Sequence, residues 1–68
     1  MTPTPNEARA AFLAADKQDI EVAAATWANY VSASLETDGS IYVSNPTGGG
    51  RWLDNADLVK LHAWCESQ

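Results

Sequence analysis

The stretch TDGSIYVSNPTGGGRWL, residues 37–53, predicts a β-hairpin between two segments with helical patterns. The run IYV at residues 41–43 has high β-propensity, and RWL at residues 51–53 is suited to the returning strand. Between them lie Pro46 and three consecutive glycines, a composition typical of a loop. We therefore expect a short hairpin over residues 40–53.

The segment before the hairpin, residues 5–36, has apolar residues at helical intervals up to Leu35. Thr4 can cap its first turn, with Glu7 placed to complete a capping box. Asp16 can cap a second helix, and a break there is favoured. One continuous helix of about 48 Å is the open alternative, since residues 16–19 contain no glycine or proline. Gly39 is suited to the left-handed residue that ends this helical half.

A last helix is predicted over residues 55–66, after the hairpin. Asp54 or Asn55 can cap it, and Asp57 lies in its first turn, where a carboxylate is favourable. One face of this helix carries Leu58, Leu61, His62 and Cys65. The sequence thus predicts a mostly helical α+β domain over residues 1–68, with an N-terminal helix or helix pair, a short β-hairpin and a C-terminal helix.

Length and composition restrict the class of protein. Sixty-eight residues fit one domain, and a 46% hydrophobic content is too high for a disordered chain. Nine acidic residues against four basic ones give a net charge of −5, which disfavours a nucleic acid as the partner. The single cysteine allows no internal disulfide, and the N-terminus lacks the pattern of a signal peptide. With no apolar run of about 20 residues, we expect a cytoplasmic protein without a membrane partner.

No residue pattern in the chain is typical of catalysis or of cofactor binding. The glycine-rich loop at residues 45–51 lacks the Gly-Lys-Ser/Thr ending of a phosphate-binding loop, which favours a hairpin connection. His62 and Cys65 are spaced as two metal ligands on one helix, but zinc requires three or four protein ligands. We therefore expect no catalytic residue, no cofactor and no metal, and a protein that is not an enzyme.

The aromatic residues are the better candidates for a functional surface. Trp27 lies on the apolar stripe of the first helical segment, which indicates a core position. If Ile41 and Val43 face the helices, Tyr42 faces outward, because side chains alternate along a strand. Tyr42, Arg51 and Trp52 could then form one partner-binding patch, since Tyr, Trp and Arg are enriched at interaction hot spots. Burial of Trp52 in the core is the equal alternative.

Two stretches of this acidic, alanine-rich chain carry a family resemblance. They are TPNEARA at residues 4–10 and GGGRWLDNADL at residues 48–58. In size, composition and general pattern the chain resembles the small early host-takeover proteins of Mu-like Pseudomonas phages. Those proteins include an anti-activator of a quorum-sensing transcription factor that also inhibits the pilus assembly ATPase. The resemblance implies a phage protein that acts on such a host regulator or on the pilus ATPase.

The resulting hypothesis is a small protein-binding inhibitor, phage-encoded and active in the host cytoplasm, that blocks a host protein such as a quorum-sensing regulator. We expect a homodimer, because self-association would enlarge the small core and pair hairpin edges. Two other classes stay open. One is a small DNA-associated regulator, whose binding would depend steeply on salt. The other is a phage assembly factor, which would co-purify with virions.

Overall fold

The computed structural model describes residues 2–68, which form three α-helices and one antiparallel β-sheet. In chain order the elements are α1 Pro5–Ala14, α2 Lys17–Ala28, β1 Ser32–Leu35, β2 Ile41–Ser44, β3 Gly50–Trp52 and α3 Asn55–Glu66. The sheet is a meander in the order β1-β2-β3. This arrangement confirms the predicted α+β class with its hairpin and C-terminal helix.

Side chains of the preceding residues cap all three helices. Thr4 Oγ1 accepts a hydrogen bond from Glu7 N–H (3.2 Å), and the Glu7 carboxylate accepts one from Thr4 N–H (2.8 Å), so the capping box is present. Asp16 accepts bonds from two backbone N–H groups in the first turn of α2. Asp54 accepts a hydrogen bond from the Asp57 N–H in the first turn of α3 (2.8 Å). The break at Asp16 is therefore confirmed, and the N-terminal segment is a helix pair.

The helical prediction for residues 5–36 is wrong over residues 29–36. Asn29 adopts a left-handed conformation (φ 63°, ψ 44°) and ends α2, and Tyr30 N–H donates back to Ala25 O (2.9 Å). Residues 32–35 then form β1, which pairs antiparallel with β2. Residues 32–35 form a strand and not a helix because an isolated two-stranded hairpin is only marginally stable, and a third strand stabilises it.

The helices cover one face of the sheet. Leu35, Ile41 and Val43 are buried on this inner face, where α2 packs against β1 and β2. Helix α1 packs mainly against α3. The core of the described residues consists of Ala8, Phe12, Ile20, Ala24, Leu35, Ile41, Val43, Leu53, Leu58 and Leu61.

The predicted face of α3 lies toward this core. Leu58 and Leu61 are fully buried, and His62 and Cys65 are partly buried beside them. Trp27 of α2 is also only partly buried and packs at the margin of the core. Its interpretation as a core residue is therefore correct only in part, because Ala24 and Ala25 occupy the most buried face of α2.

The hairpin of β2 and β3 lies within the predicted residues 40–53. Val43 pairs with Arg51, and Leu53 N–H donates to Ile41 O just beyond the strand (2.9 Å). The loop between the strands closes through Asn45 N–H, which donates to Gly49 O (3.1 Å). This geometry agrees with a hairpin connection for the glycine-rich loop.

Candidate functional site

The outer face of the sheet carries two aromatic side chains in direct contact. Tyr42 of β2 is the cross-strand partner of Trp52 of β3. Their ring centroids are 5.1 Å apart, and the planes meet at 63°, an edge-to-face arrangement. Tyr42 is partly buried, whereas Trp52 is 56% exposed. The sequence left burial in the core and exposure on the sheet as equal alternatives for Trp52, and the structure shows that it is exposed.

Gly50 gives Tyr42 the space for this position. A Cβ atom at residue 50 would lie 2.5 Å from the Tyr42 hydroxyl oxygen and 2.8 Å from Val43 O. The phenol ring therefore lies directly over the backbone of β3, and it could not remain there beside any side chain at residue 50. The last glycine of the loop thus leaves the space that the Tyr42 side chain occupies on the sheet.

Small polar residues surround the aromatic pair. Ser34 pairs with Tyr42, and Ser32 pairs with Ser44, so all three serines lie on the same face of the sheet as the aromatic rings. We call this surface the Tyr–Trp face, and it consists of Ser32, Ser34, Tyr42, Ser44, Gly50 and Trp52. The residues of β1 were missed in the sequence, although the alternation V-S-A-S-L at residues 31–35 is a strand signal.

Arg51 lies on the opposite face from Tyr42 and Trp52. It pairs with Val43, whose side chain points into the core, and its guanidinium reaches Asp57 of α3 (Nη1 to Oδ2, 2.6 Å). This hydrogen bond holds the pKa of Arg51 above, and that of Asp57 below, the ordinary values. The structure therefore brings together two of the three residues predicted for the patch, and it places Arg51 in a contact between β3 and α3.

The contact between Arg51 and Asp57 predicts a pH dependence of stability. Because the pKa of Asp57 is lower in the folded chain, its contribution is complete above about pH 5 and disappears as the pH falls through the folded-state value. Asp57→Asn should therefore lower the free energy of unfolding at pH 7 by about 0.5–1 kcal/mol, and the difference from wild type should vanish in acid. Urea titrations at several pH values measure this.

The matched control is Asp19→Asn. Asp19 occupies the first turn of α2 as Asp57 occupies that of α3, and no arginine contacts it among residues 2–68. Asp19→Asn should lower the free energy of unfolding at pH 7 by less than Asp57→Asn does. This control variant should still lose stability in acid as steeply as the wild type does. Equal pH profiles for the two variants would show that the Arg51 contact contributes nothing.

The polar residues of α3 lie away from the Tyr–Trp face. His62 has its ring 6.1 Å from the Phe12 ring and its Nε2 3.6 Å from the Glu66 carboxylate. Cys65 packs against the core, where burial raises the pKa of its thiol. Within residues 2–68, no three His, Cys, Asp or Glu side chains are grouped so that they could hold a metal ion.

Comparisons with protein-family models, with curated proteins and with solved structures find no match to this chain. None of the helices within residues 2–68 combines the length and the apolar character required to cross a membrane. The candidate site is therefore defined by its own geometry, an exposed tryptophan in edge-to-face contact with a tyrosine on a sheet.

Proposed function

We propose that this chain is a small non-catalytic protein that binds a host protein through the Tyr–Trp face and thereby inhibits it. The observation that carries the proposal is Trp52, a large aromatic residue that is 56% exposed and is held edge-on against Tyr42. Trp and Tyr contribute most of the binding energy in many protein interfaces. The contact between the two rings restricts both side chains before binding, which reduces the side-chain entropy that binding removes.

The size of the domain is compatible with this mode of action. The chain has an accessible surface of 4260 Å². A stable complex buries about 800 Å² on each partner, which is roughly a fifth of this surface. The aromatic pair with its serine rim would form the centre and part of the edge of such an interface, which is the usual distribution of apolar and polar groups.

Charge and family resemblance together indicate the kind of target. The net charge of −5 favours association with a basic surface and increases the rate of encounter at low salt. The DNA-binding face of a transcriptional regulator is such a surface. The resemblance to early proteins of Mu-like Pseudomonas phages suggests two targets in the host cytoplasm, a quorum-sensing transcriptional regulator and the pilus assembly ATPase.

Trp52→Ser should weaken binding to the target by about 30-fold or more, the effect typical of an interface hot spot. The binding of wild type and variant to purified quorum-sensing regulator and pilus ATPase can be measured by calorimetry. If neither binds, mass spectrometry of proteins retained from a bacterial lysate supplies the target. The melting temperature of the variant should change by only a few degrees, because Trp52 is exposed.

Leu13→Ser is the matched control, since Leu13 is 47% exposed on α1 and lies outside the Tyr–Trp face. It should retain the affinity of the wild type. A partner that binds Trp52→Ser as tightly as the wild-type chain would show that the Tyr–Trp face is not the binding surface. Retention of DNA alone, with a steep salt dependence, would contradict the proposed class of function.

A further inference from the structure

β1 forms one edge of the sheet, and side chains of the same chain bind two backbone N–H groups along it. Leu35 N–H donates to a carboxylate oxygen of Glu21 in α2 (2.8 Å). Val31 N–H, just before the strand, donates to Asn45 Oδ1 (3.0 Å). An edge strand normally presents a row of unpaired donors and acceptors to which another strand can add. Both ends of this row are already occupied.

The pairing of β1 with β2 shows how little of the edge remains free. Glu36 N–H donates to Ser40 O (2.8 Å) in the β1–β2 ladder. Because bonded residues alternate along an antiparallel pair, the N–H groups of Ala33 and Leu35 point away from β2. Since Leu35 N–H is bound to the helix carboxylate, Ala33 is the one residue of β1 whose N–H is left for an added strand.

The packing of α2 against β1 brings Glu21 to this position. Ala25 is buried on α2, and Glu21 lies one turn before it on the same face of the helix. Alanine is small, so the helix can lie close to the strand, and the bond from Leu35 N–H to the carboxylate is partly buried. A charge turned toward the edge of a sheet opposes strand addition, because the carboxylate repels the carbonyl oxygens of an incoming strand.

Exposed apolar side chains beside the edge would favour strand addition if the edge were open. Val22 and Val31 are 60% and 68% exposed, and both border a hollow of about 210 Å³ between α2 and β1. Glu21 and Ala33 line the same hollow. An apolar edge strand without such a block is a typical site of aggregation. The two side-chain acceptors thus lie where a block has the largest effect.

The other edge of the sheet is limited in a different way. β3 has only three residues, Gly50–Trp52. Gly48 and Gly49, both with positive φ, precede it, and α3 begins at Asn55. Very short edge strands give an added strand little to pair with. The longer edge at β1 is the one that carries the side-chain block.

We propose that Glu21 and Asn45 close the β1 edge to strand addition and so prevent self-association of the chain through this edge. An incoming strand would have to displace both acceptors, and the Glu21 carboxylate would lose its hydrogen bond in a partly buried place. A homodimer, as expected from the sequence, would then have to form through another surface. The block involves no residue of the Tyr–Trp face, so its test is separate from that of the proposed function.

The double variant Glu21→Ala/Asn45→Ala removes both acceptors. At millimolar concentration, the strand most available to an opened edge is the same edge of another copy. Sedimentation equilibrium should therefore give a dissociation constant for self-association at least about tenfold lower than that of the wild type. Adding Ala33→Pro should cancel this gain, because proline removes the remaining outward donor and is tolerated on an edge strand.

Glu21→Gln is the matched control. It removes the same negative charge as the double variant but keeps an oxygen acceptor, so it should associate no more tightly than the wild type. A double variant that also associates no more tightly would overturn the proposal. A gain in association that persists with Ala33→Pro would overturn it too, since the association would then use another surface.

Hydrogen exchange of the Leu35 amide tests the block within a single chain. In the Ala33→Pro background, where pairing is prevented, Glu21→Ala should accelerate this exchange by at least about tenfold, and Glu21→Gln should not. NMR measures the rate even if the double variant does not fold, because each of these variants keeps Asn45. An equal rate in Glu21→Ala and Glu21→Gln would show that the carboxylate does not close the edge.

Discussion

Replacing Phe12 with Ala is expected to lower the free energy of unfolding by about 3–5 kcal/mol. Phe12 lies on α1, is 2% exposed and is the largest of the fully buried side chains. Its removal would leave a cavity between α1 and α3, with the His62 ring on its border. A domain of this size has a total stability of about 3–10 kcal/mol, so the expected loss is a large fraction of the total.

The neighbouring residue provides the control for this prediction. Leu13 is also a large apolar residue of α1 but is 47% exposed, so Leu13→Ala should cost less than about 1 kcal/mol. Urea denaturation followed by tryptophan fluorescence measures both variants. Similar losses for Phe12→Ala and Leu13→Ala would mean that α1 does not dock on α3 through Phe12.

The helices were predictable because their determinants are local in sequence. Thr4, Asp16 and Asp54 each cap a helix with an interaction that spans two or three residues. The residue that ends α2, Asn29, is also a local determinant, but asparagine predicts a left-handed helix end less strongly than glycine does. The helical spacing that continues through Val31 and Leu35 therefore obscured the true end of α2.

β1 could not be predicted in the same way because its stability comes from tertiary contacts. Ala and Ser have low β-propensity, and the strand exists because β2 pairs with it and α2 packs beneath it. The alternation of apolar and serine residues at 31–35 was present in the sequence. It competed with a helical pattern of similar quality over the same residues, and only the long-range pairing with β2 decides between them.

The candidate site illustrates what strand alternation can establish. Alternation with Ile41 and Val43 predicted that Tyr42 faces outward, and the burial of both neighbours confirms it. The same rule applied to β3 would have separated Arg51 from Trp52, since adjacent residues of a strand cannot share a face. The contact of Arg51 with Asp57 depends on the packing of α3 beside β3, which no local pattern in the sequence specifies.

Gly39→Ala is expected to lower the free energy of unfolding by about 2–5 kcal/mol. Gly39 has a φ of +89°, which costs an L-residue about 1–2 kcal/mol. A Cβ atom there would also lie 2.6 Å from Arg9 Cβ and 3.0 Å from the Arg9 backbone, which adds an overpacking cost of about 1–3 kcal/mol. The turn between β1 and β2 must then move away from α1.

Gly48→Ala separates these two contributions. Gly48 has a similar φ of +98°, but a Cβ atom there would have no neighbour within 4 Å. Gly48→Ala should therefore cost only the conformational contribution, about 1–2 kcal/mol, in the same urea experiment. Equal losses for the two variants would show that the close approach of the turn to α1 is unimportant for stability.

The expected difference between the two glycine variants also reports on the architecture. The sequence indicated a left-handed glycine at residue 39 as the end of a helix, and the positive φ agrees. Its true place is the β1–β2 turn, which Gly39 N–H closes by donating to Glu36 O (3.0 Å). Because this turn contacts α1 at Arg9, a larger loss for Gly39→Ala would demonstrate that the sheet is anchored to the N-terminal helix at that point.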